Sequence, residues 1–502
     1  MHPMLTKLKE MREFDGEVRT SGLPDAVIEG FAESDADLIE AVDEAYAAHL
    51  ALRSCMSEFL HLDEMEQIRR TQADFINFYP EDGINPYIAL AAHGAWMITL
   101  KGAVIYDAGG YGMLGLGHAP KAILSVMARP QVMANVMTPN LSQLKFGKAL
   151  RKEIGQSRGG CPYAKFMCLN SGSESVSLAA RIVDVNAKLM TDPGARYAGR
   201  AIKRVAVKGA FHGRTERPAQ YSDSSRKAYE QNLASFRNEH SLLTVEPYSV
   251  EQLKQLFADA DKNGWFIEAV FIEPVMGEGD PGRGVTPEFY SAARELTKAH
   301  GSLLLIDSIQ AGLRAHGVLS IVDYPGFEKL EAPDMETYSK ALNAGQYPLS
   351  VLAVTPSTAE LYKKGIYGNT MTSNPRALDV ACTVLAALTP EMRENIRVRG
   401  KEVVAKLNKL KTDLPGYLTK VQGTGLLFSC ELSPDFLCYG AGSTEEWMRE
   451  NGYGVIHGGT NSLRFTPRFD ITADEIDLLV EGVRRALLEG PRKTQAPHAV
   501  AA

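Results

Sequence analysis

Residues 165–188 read KFMCLNSGSESVSLAARIVDVNAK: a short apolar run breaks at Ser171-Gly172-Ser173-Glu174 and gives way to a stretch whose apolar positions recur at helical spacing. The alternation continues downstream through RVAVKG (204–209), EQLKQLFADADK (251–262), AVFIEPV (269–275), PEFYSAARELTKAH (287–300) and SLLLID (302–307). Short apolar runs separated by amphipathic helices predict a largely parallel sheet covered by helices, an α/β fold. Local signals agree. Ser249 with Gln252 forms a candidate capping box, Thr286 precedes Pro287 at a first helical position, and Gly301 closes that helix before the next strand.

Outward from this core the pattern changes on both sides. The first eighty or so residues are rich in charge and helix formers, as in SDADLIEAVDEAYAAHLALRS (34–54), where Ser34 or Asp35 is placed to cap. After about Pro390 a helix with Ile396, Val403, Leu407 and Leu410 on one face precedes a strand-rich stretch. A last helix follows, with Thr472 and Glu475 as its capping box and Ile476, Leu479, Val480, Val483 and Leu487 as its buried stripe. The small, polar tail after Gly490 is expected to be disordered.

Composition limits the function classes. A chain of 502 residues with 45% hydrophobic content can bury a large core and divides into two or three domains. Lys+Arg 54 against Asp+Glu 61 leaves a formal charge of -7, too weak a field to argue for nucleic acid or an acidic membrane as partner. Six scattered cysteines (55, 161, 168, 382, 430, 438) show neither a C-x-x-C pair nor metal-ligand spacing. The N-terminus lacks a secretory apolar stretch and no run reaches the ~20 apolar residues that span a bilayer. A cytoplasmic location is expected.

In open α/β sheets ligands bind beyond the carboxyl ends of the strands, and four such places carry chemistry-bearing residues. Ser171 to Glu174 is either an ordinary helix start or a turn whose N–H groups and helix dipole hold a phosphate. Gly209 to Thr215 places Phe211, His212 and Arg214 together, readable as a stacking ring and a carboxylate-binding guanidinium or as a packed Phe beside a solvated Arg. Asp307 ends SLLLID, as a helix N-cap or as a buried anion that needs a cationic partner. Lys340, in PDMETYSKALNAGQYPLS, either snorkels to water or is a desolvated amine fit to bond a carbonyl carbon. A phosphate cradle, a stacking ring, an anion for a ring nitrogen and a bond-forming amine are together what pyridoxal 5′-phosphate requires.

The motifs NSGSESV, GAFHGRT, FIEPVMGEGD, LLLIDSIQAG and YSKALNAGQYPLS, in this order, resemble those of the class III aminotransferases, from about Asn85 to Gly490. GAFHGRT and the preceding GHAP (117–120) look most like the 4-aminobutyrate enzymes, and KALNAGQYPLS most like the ornithine enzymes. The resemblance implies pyridoxal-phosphate fold type I (aspartate-aminotransferase-like), a large domain with a mostly parallel sheet plus a small α+β domain. The chain then divides into a helical N-terminal extension (1–84), the N-terminal part of the small domain (85–150), the large cofactor-binding domain (151–389), the C-terminal small domain (390–490) and the tail (491–502).

Carried over residue by residue, the resemblance makes Lys340 the lysine that tethers the cofactor aldehyde and Asp307 the partner of the pyridine nitrogen. Gly172 and Ser173 would bind the phosphate, Phe211 would face one side of the ring with His212 beside it, Ile309 would face the other, and Gln310 would lie near the ring oxygen. Thr370, in YGNTMTSNP, matches a threonine that reaches the phosphate of the other subunit, implying a homodimer with shared active sites. Glu278 matches a glutamate that pairs with an arginine at the position of Arg464, and Arg214 would hold a distal carboxylate; an ordinary surface ion pair is the alternative for Glu278 and Arg464. The reaction implied is ping-pong transfer of an amino group from an ω-amine or amino acid of the 4-aminobutyrate, ornithine or lysine type to 2-oxoglutarate or a similar keto acid. An aminomutase or racemase of the same family is the alternative. The sequence departs from the family at Ser308, usually Glu, at Met276, commonly Gln, and in the loosened stretch from Tyr367 to Pro375.

Two rivals fail on context. Gly110 to Gly115 matches G-x-G-x-x-G, but no Asp or Glu occurs from Leu116 to Leu150 to bind a ribose, so these glycines are expected to form tight turns. No His-Glu-x-x-His or close His pair supports metal hydrolysis.

Overall fold

The computed structural model describes residues 3–237 and 239–493. Of the tail expected to be disordered, residues 494–502 lie outside the described residues. Two compact units emerge: one from the described residues of Met1–Pro120, Arg399–Gln422 and Phe428–Ala502, the other from Lys121–Val398 with Gly423–Leu427.

The second unit holds the alternating segment. Its sheet contains β1 (Lys165–Leu169), β2 (Ala201–Val207), β3 (Leu242–Val245), β4 (Trp265–Ile272), β5 (Leu303–Asp307), β6 (Met335–Tyr338) and β7 (Ser350–Val354), in spatial order β1-β7-β6-β5-β4-β2-β3. Only β7 runs against the rest, antiparallel to both β1 and β6. The carboxyl ends of β1, β2, β4, β5 and β6 therefore share one edge of the sheet. Central strands buried on both faces need apolar side chains throughout, and β5 and β7 are buried at every position. Leu169, Phe271, Leu305 and Leu352 form a core with Leu178 and Ile182 of helix α1 (Gly172–Thr191).

The helices that cover this sheet start and stop on local chemistry. In α1 the Ser171 side chain accepts the Glu174 N–H and the Glu174 carboxylate reaches back to the Ser171 N–H, a complete capping box. For α2 (Val250–Lys262), Ser249 accepts the Gln252 N–H, but the Gln252 side-chain Oε1 takes the Glu246 N–H instead of the side chain returning to Ser249, so only half of the expected box forms. α3 (Pro287–His300) begins at Thr286 with Pro287 in its first turn and ends at Gly301, whose φ of 77° uses the left-handed region open to glycine.

In the first unit, helices Pro3–Arg12, Asp25–Ala32, Ala36–Cys55 and Glu64–Gln72 accompany a sheet of Ala89–His93, Trp96–Thr99, Val104–Asp107 and Tyr453–Gly454. Asp35, not Ser34, caps the long helix. Within that helix His49 is buried, and burial, with Arg53 and Lys101 nearby, pulls its imidazole down to about 4. The last helix, Ala473–Glu489, carries the Thr472–Glu475 box in full; Leu478 is buried where Val480 was expected, and Val480 is only half-buried. Residues 109–115 form consecutive turns, with the Met113 N–H on the Gly110 carbonyl at 2.9 Å, as expected of glycines that open no helix.

Candidate active site

The site grows from the sheet edge of the second unit. Asp307 is the last residue of β5 and is buried. Its Oδ2 lies 2.8 Å from Nδ1 of His212, which follows β2, and its Oδ1 accepts the Ile309 N–H at 3.2 Å. No helix starts at residue 308, so Asp307 is a buried carboxylate beside an imidazole and not an N-cap. The imidazole is itself buried, meets Phe271 edge-on at 5.7 Å, and leaves Nε2 without a hydrogen-bond partner among the described residues.

Lys340 follows β6, the neighbour of β5. Asp307 and Thr337 are aligned across the two strands, and the Ser308 N–H donates to the Thr337 carbonyl at 3.0 Å. Beyond Ser339 the chain turns sharply into the short 3-10 segment Lys340–Asn343, and Lys340 holds a φ of 48°. A non-glycine residue in the left-handed region is uncommon and costs conformational energy, which surrounding contacts must offset. Here the Ser339 hydroxyl and the Asn343 amide both donate to the Leu349 carbonyl, at 2.6 and 3.0 Å. The lysine is half-buried.

The turn after β1 closes the same edge. Ser350 of β7 donates to the Ser171 carbonyl at 2.6 Å, and Ser175 bonds Thr337 of β6. Gly172 is packed so tightly that a Cβ there would lie 2.7 Å from Cδ1 of Ile309, which joins the turn after β1 to the turn after β5. Ser173 sits under Gly213, where a Cβ would lie 2.4 Å from the Ser173 hydroxyl. A Cβ on Gly277 would likewise overlap the Gln310 amide, so Gln310 packs on the loop after β4. Gly172, Ser173, His212, Asp307, Ile309, Gln310 and Lys340 are thus brought to one edge.

The remaining predicted residues are placed less centrally. Phe211 is half-buried and Arg214 is exposed, its guanidinium carbon 5.4 Å from the Phe211 ring centroid. Thr370 is exposed, while its neighbour Asn369 donates to Glu174 at 3.0 Å and accepts from Asn170 at 3.3 Å, tying the 367–375 stretch to the turn after β1. Glu278 is half-buried in the second unit. Arg464 belongs to the first unit, where it is almost completely buried with its guanidinium 5.6 Å from the Tyr111 ring centroid.

Three features escaped the sequence reading. Glu273, just past β4, is buried, and burial lifts its carboxyl to about 7, while His212 opposes and Asp307 reinforces that rise. Glu336, inside β6, is fully buried and accepts the Ser308 hydroxyl at 2.6 Å, the Ile321 N–H at 2.9 Å and the Tyr163 hydroxyl at 2.7 Å, together with the Ser320 hydroxyl. The serine that departs from the family pattern is therefore one of four donors to a buried carboxylate. Tyr111, at a φ of 52°, covers Arg464. The signal for Glu273 was a charged residue within the apolar run AVFIEPV, which requires an internal partner, whereas Glu336, in DMETYSK, carried no such signal.

Among the described residues no helix is long and apolar enough to cross a membrane. The structure resembles ornithine aminotransferase from Toxoplasma gondii, with a TM-score of 0.71 and 21% identity over 87% of this chain and 98% of that one. It also resembles N-acetylornithine aminotransferase from Stenotrophomonas maltophilia (0.64; 23%; 84% and 98%) and a transaminase from the marine bacterium Virgibacillus (0.67; 20%; 84% and 98%). At such identities the likeness establishes the fold, pyridoxal-phosphate fold type I. The family model for class-III aminotransferases matches residues 79–487, and the chain belongs to that family.

Proposed function

We propose that the enzyme transfers the amino group of an ω-amine or an amino acid of the 4-aminobutyrate, ornithine or lysine type to 2-oxoglutarate or a similar keto acid. The observation that carries this reading is the buried Asp307–His212 pair at the end of β5 with Lys340 at the end of the adjacent strand. The residues present fit pyridoxal phosphate. A buried carboxylate suits a protonated ring nitrogen, the first turn of α1 offers N–H groups outside the helical ladder for a phosphate, and Lys340, at a half-buried position, carries an amine suited to an aldehyde. When bound, the cofactor supplies an aldehyde carbon for amine exchange and a protonated ring that draws electrons from the substrate carbon.

This chain's residues supply the rest. Asp307 would keep the ring nitrogen protonated, and His212 orients the carboxylate by occupying Oδ2. Gly172 and Ser173 would hold the phosphate, Phe211 and Ile309 the ring, and Gln310 the ring oxygen. Lys340 Nζ would hold the cofactor's aldehyde carbon and, as a free amine, would be the base positioned to take a proton from the amine-bearing substrate carbon. Arg214 and Arg464 are the guanidinium groups offered to substrate carboxylates, and Glu278 is the acid offered to a donor that lacks one.

The chain acts as a cytoplasmic homodimer in this reading, with Thr370 serving the phosphate of the other subunit. Exposed Met133, Met137, Leu141, Leu144 and Met371, all in the second unit, support an apolar surface for a second copy. Incubation with a panel of ω-amines and 2-oxoglutarate tests the reaction. Glutamate is the expected product, whereas turnover that needs no keto acid would favour an aminomutase or racemase.

A further inference from the structure

Glu273 uses its two carboxylate oxygens on two different loops. Oε2 accepts the Phe211 N–H and Oε1 accepts the Gly277 N–H, each at 3.0 Å. The first loop, after β2, carries Phe211 and His212; the second, after β4, carries Glu278. They also touch each other, because a Cβ on Gly279 would lie 2.2 Å from the Gly209 carbonyl oxygen. Each loop has its own outer support. The Gly209 N–H donates to Asp223 at 2.7 Å and the His212 N–H to Ser222 at 2.9 Å. The second loop closes through the Met276 N–H to the Arg283 carbonyl at 3.0 Å and the Gly282 N–H to the Met276 carbonyl at 2.9 Å.

A buried acid is costly to keep, and an apolar side chain would fill the same space at less cost. What a carboxylate alone provides is acceptance from two N–H groups at once on two oxygens. The Tyr248 hydroxyl, 3.2 Å from the Glu273 carbonyl, fixes the backbone from which the side chain reaches.

We infer that Glu273 is a positioning residue: a single carboxylate clamps the ring-facing loop to the Glu278 loop, so that the cofactor's ring contact and the substrate-sensing acid are set together. This rests on the roles given above to Phe211 and Glu278.

Glu273→Gln in the full chain keeps the volume but replaces one acceptor by an N–H donor. Hydrogen exchange in the cofactor-free protein is expected to quicken at segments 209–214 and 276–280 by about tenfold, the loss of one hydrogen bond to a charged group. The dissociation constant for pyridoxal phosphate should rise by a similar factor and the absorbance band of the bound cofactor should move. Exchange and cofactor affinity both equal to wild type would overturn the inference. Should the variant not fold, the wild type decides: slow exchange of the Phe211 and Gly277 amides supports the clamp, and exchange at the rate of open-loop amides refutes it. A wild-type chain that binds no pyridoxal phosphate would sink the functional reading while leaving the exchange result on its own footing.

Discussion

Nδ1 of His212 and Oδ2 of Asp307 lie 2.8 Å apart, with both side chains almost completely buried. A carboxylate held this way stays oriented and available to a cation at its edge. Asp307→Asn should keep the cofactor attached, seen as its visible absorbance, and lower turnover by about a hundredfold or more, the scale of losing one preorganised electrostatic partner. His212→Phe, which frees Oδ2, should reduce turnover less than Asp307→Asn does.

The Ser308–Glu336 contact predicts a stability change. Ser308→Ala removes one of four groups that donate to a fully buried carboxylate and should cost about 1.5–3 kcal/mol in denaturant unfolding. Ser308→Thr, which keeps the hydroxyl, should recover part of that loss.

Gly172→Ala tests the packing of the turn against Ile309. Its added methyl meets the flexible end of Ile309, so the fold should survive while Ile309 is displaced. Titration of the cofactor-free variant should show pyridoxal phosphate bound several-fold more weakly, with an unchanged melting temperature within about 3 °C.

How much of this was legible follows from where each signal lives. The strands at 165, 204, 269 and 302 were readable because each is an apolar run bounded by a turn, and Thr286, Gly301 and the Thr472–Glu475 box act through near neighbours. The reversal of β7 was not legible, since strand direction depends on partners distant in sequence. Half of the Ser249 box failed because the Gln252 side chain found a competing N–H on Glu246. Lys340 and Asp307 were found through their position after apolar runs, yet their closeness across β5 and β6 needed the sheet order. Glu273, a lone acid inside an apolar run, and Glu336, in the mostly polar stretch DMETYSK, show their meaning only with their donors.

His49 predicts a pH effect in the first unit. Its folded pKa of about 4 lies below the ordinary value of 6.5, so between these limits the unfolded chain binds the extra proton and stability rises with pH. As pH falls from 6.5 to 4 this contribution is lost. Thermal unfolding across that range should fall more steeply for wild type than for His49→Gln; parallel slopes would contradict the assignment.

The central claim is that Lys340 carries the cofactor. Borohydride treatment of the pyridoxal-phosphate-loaded protein, followed by peptide mass mapping, tests it directly. The account predicts a phosphopyridoxyl group on the peptide containing Lys340 and none in Lys340→Ala; modification of a different lysine in the wild type, or none at all, would contradict it.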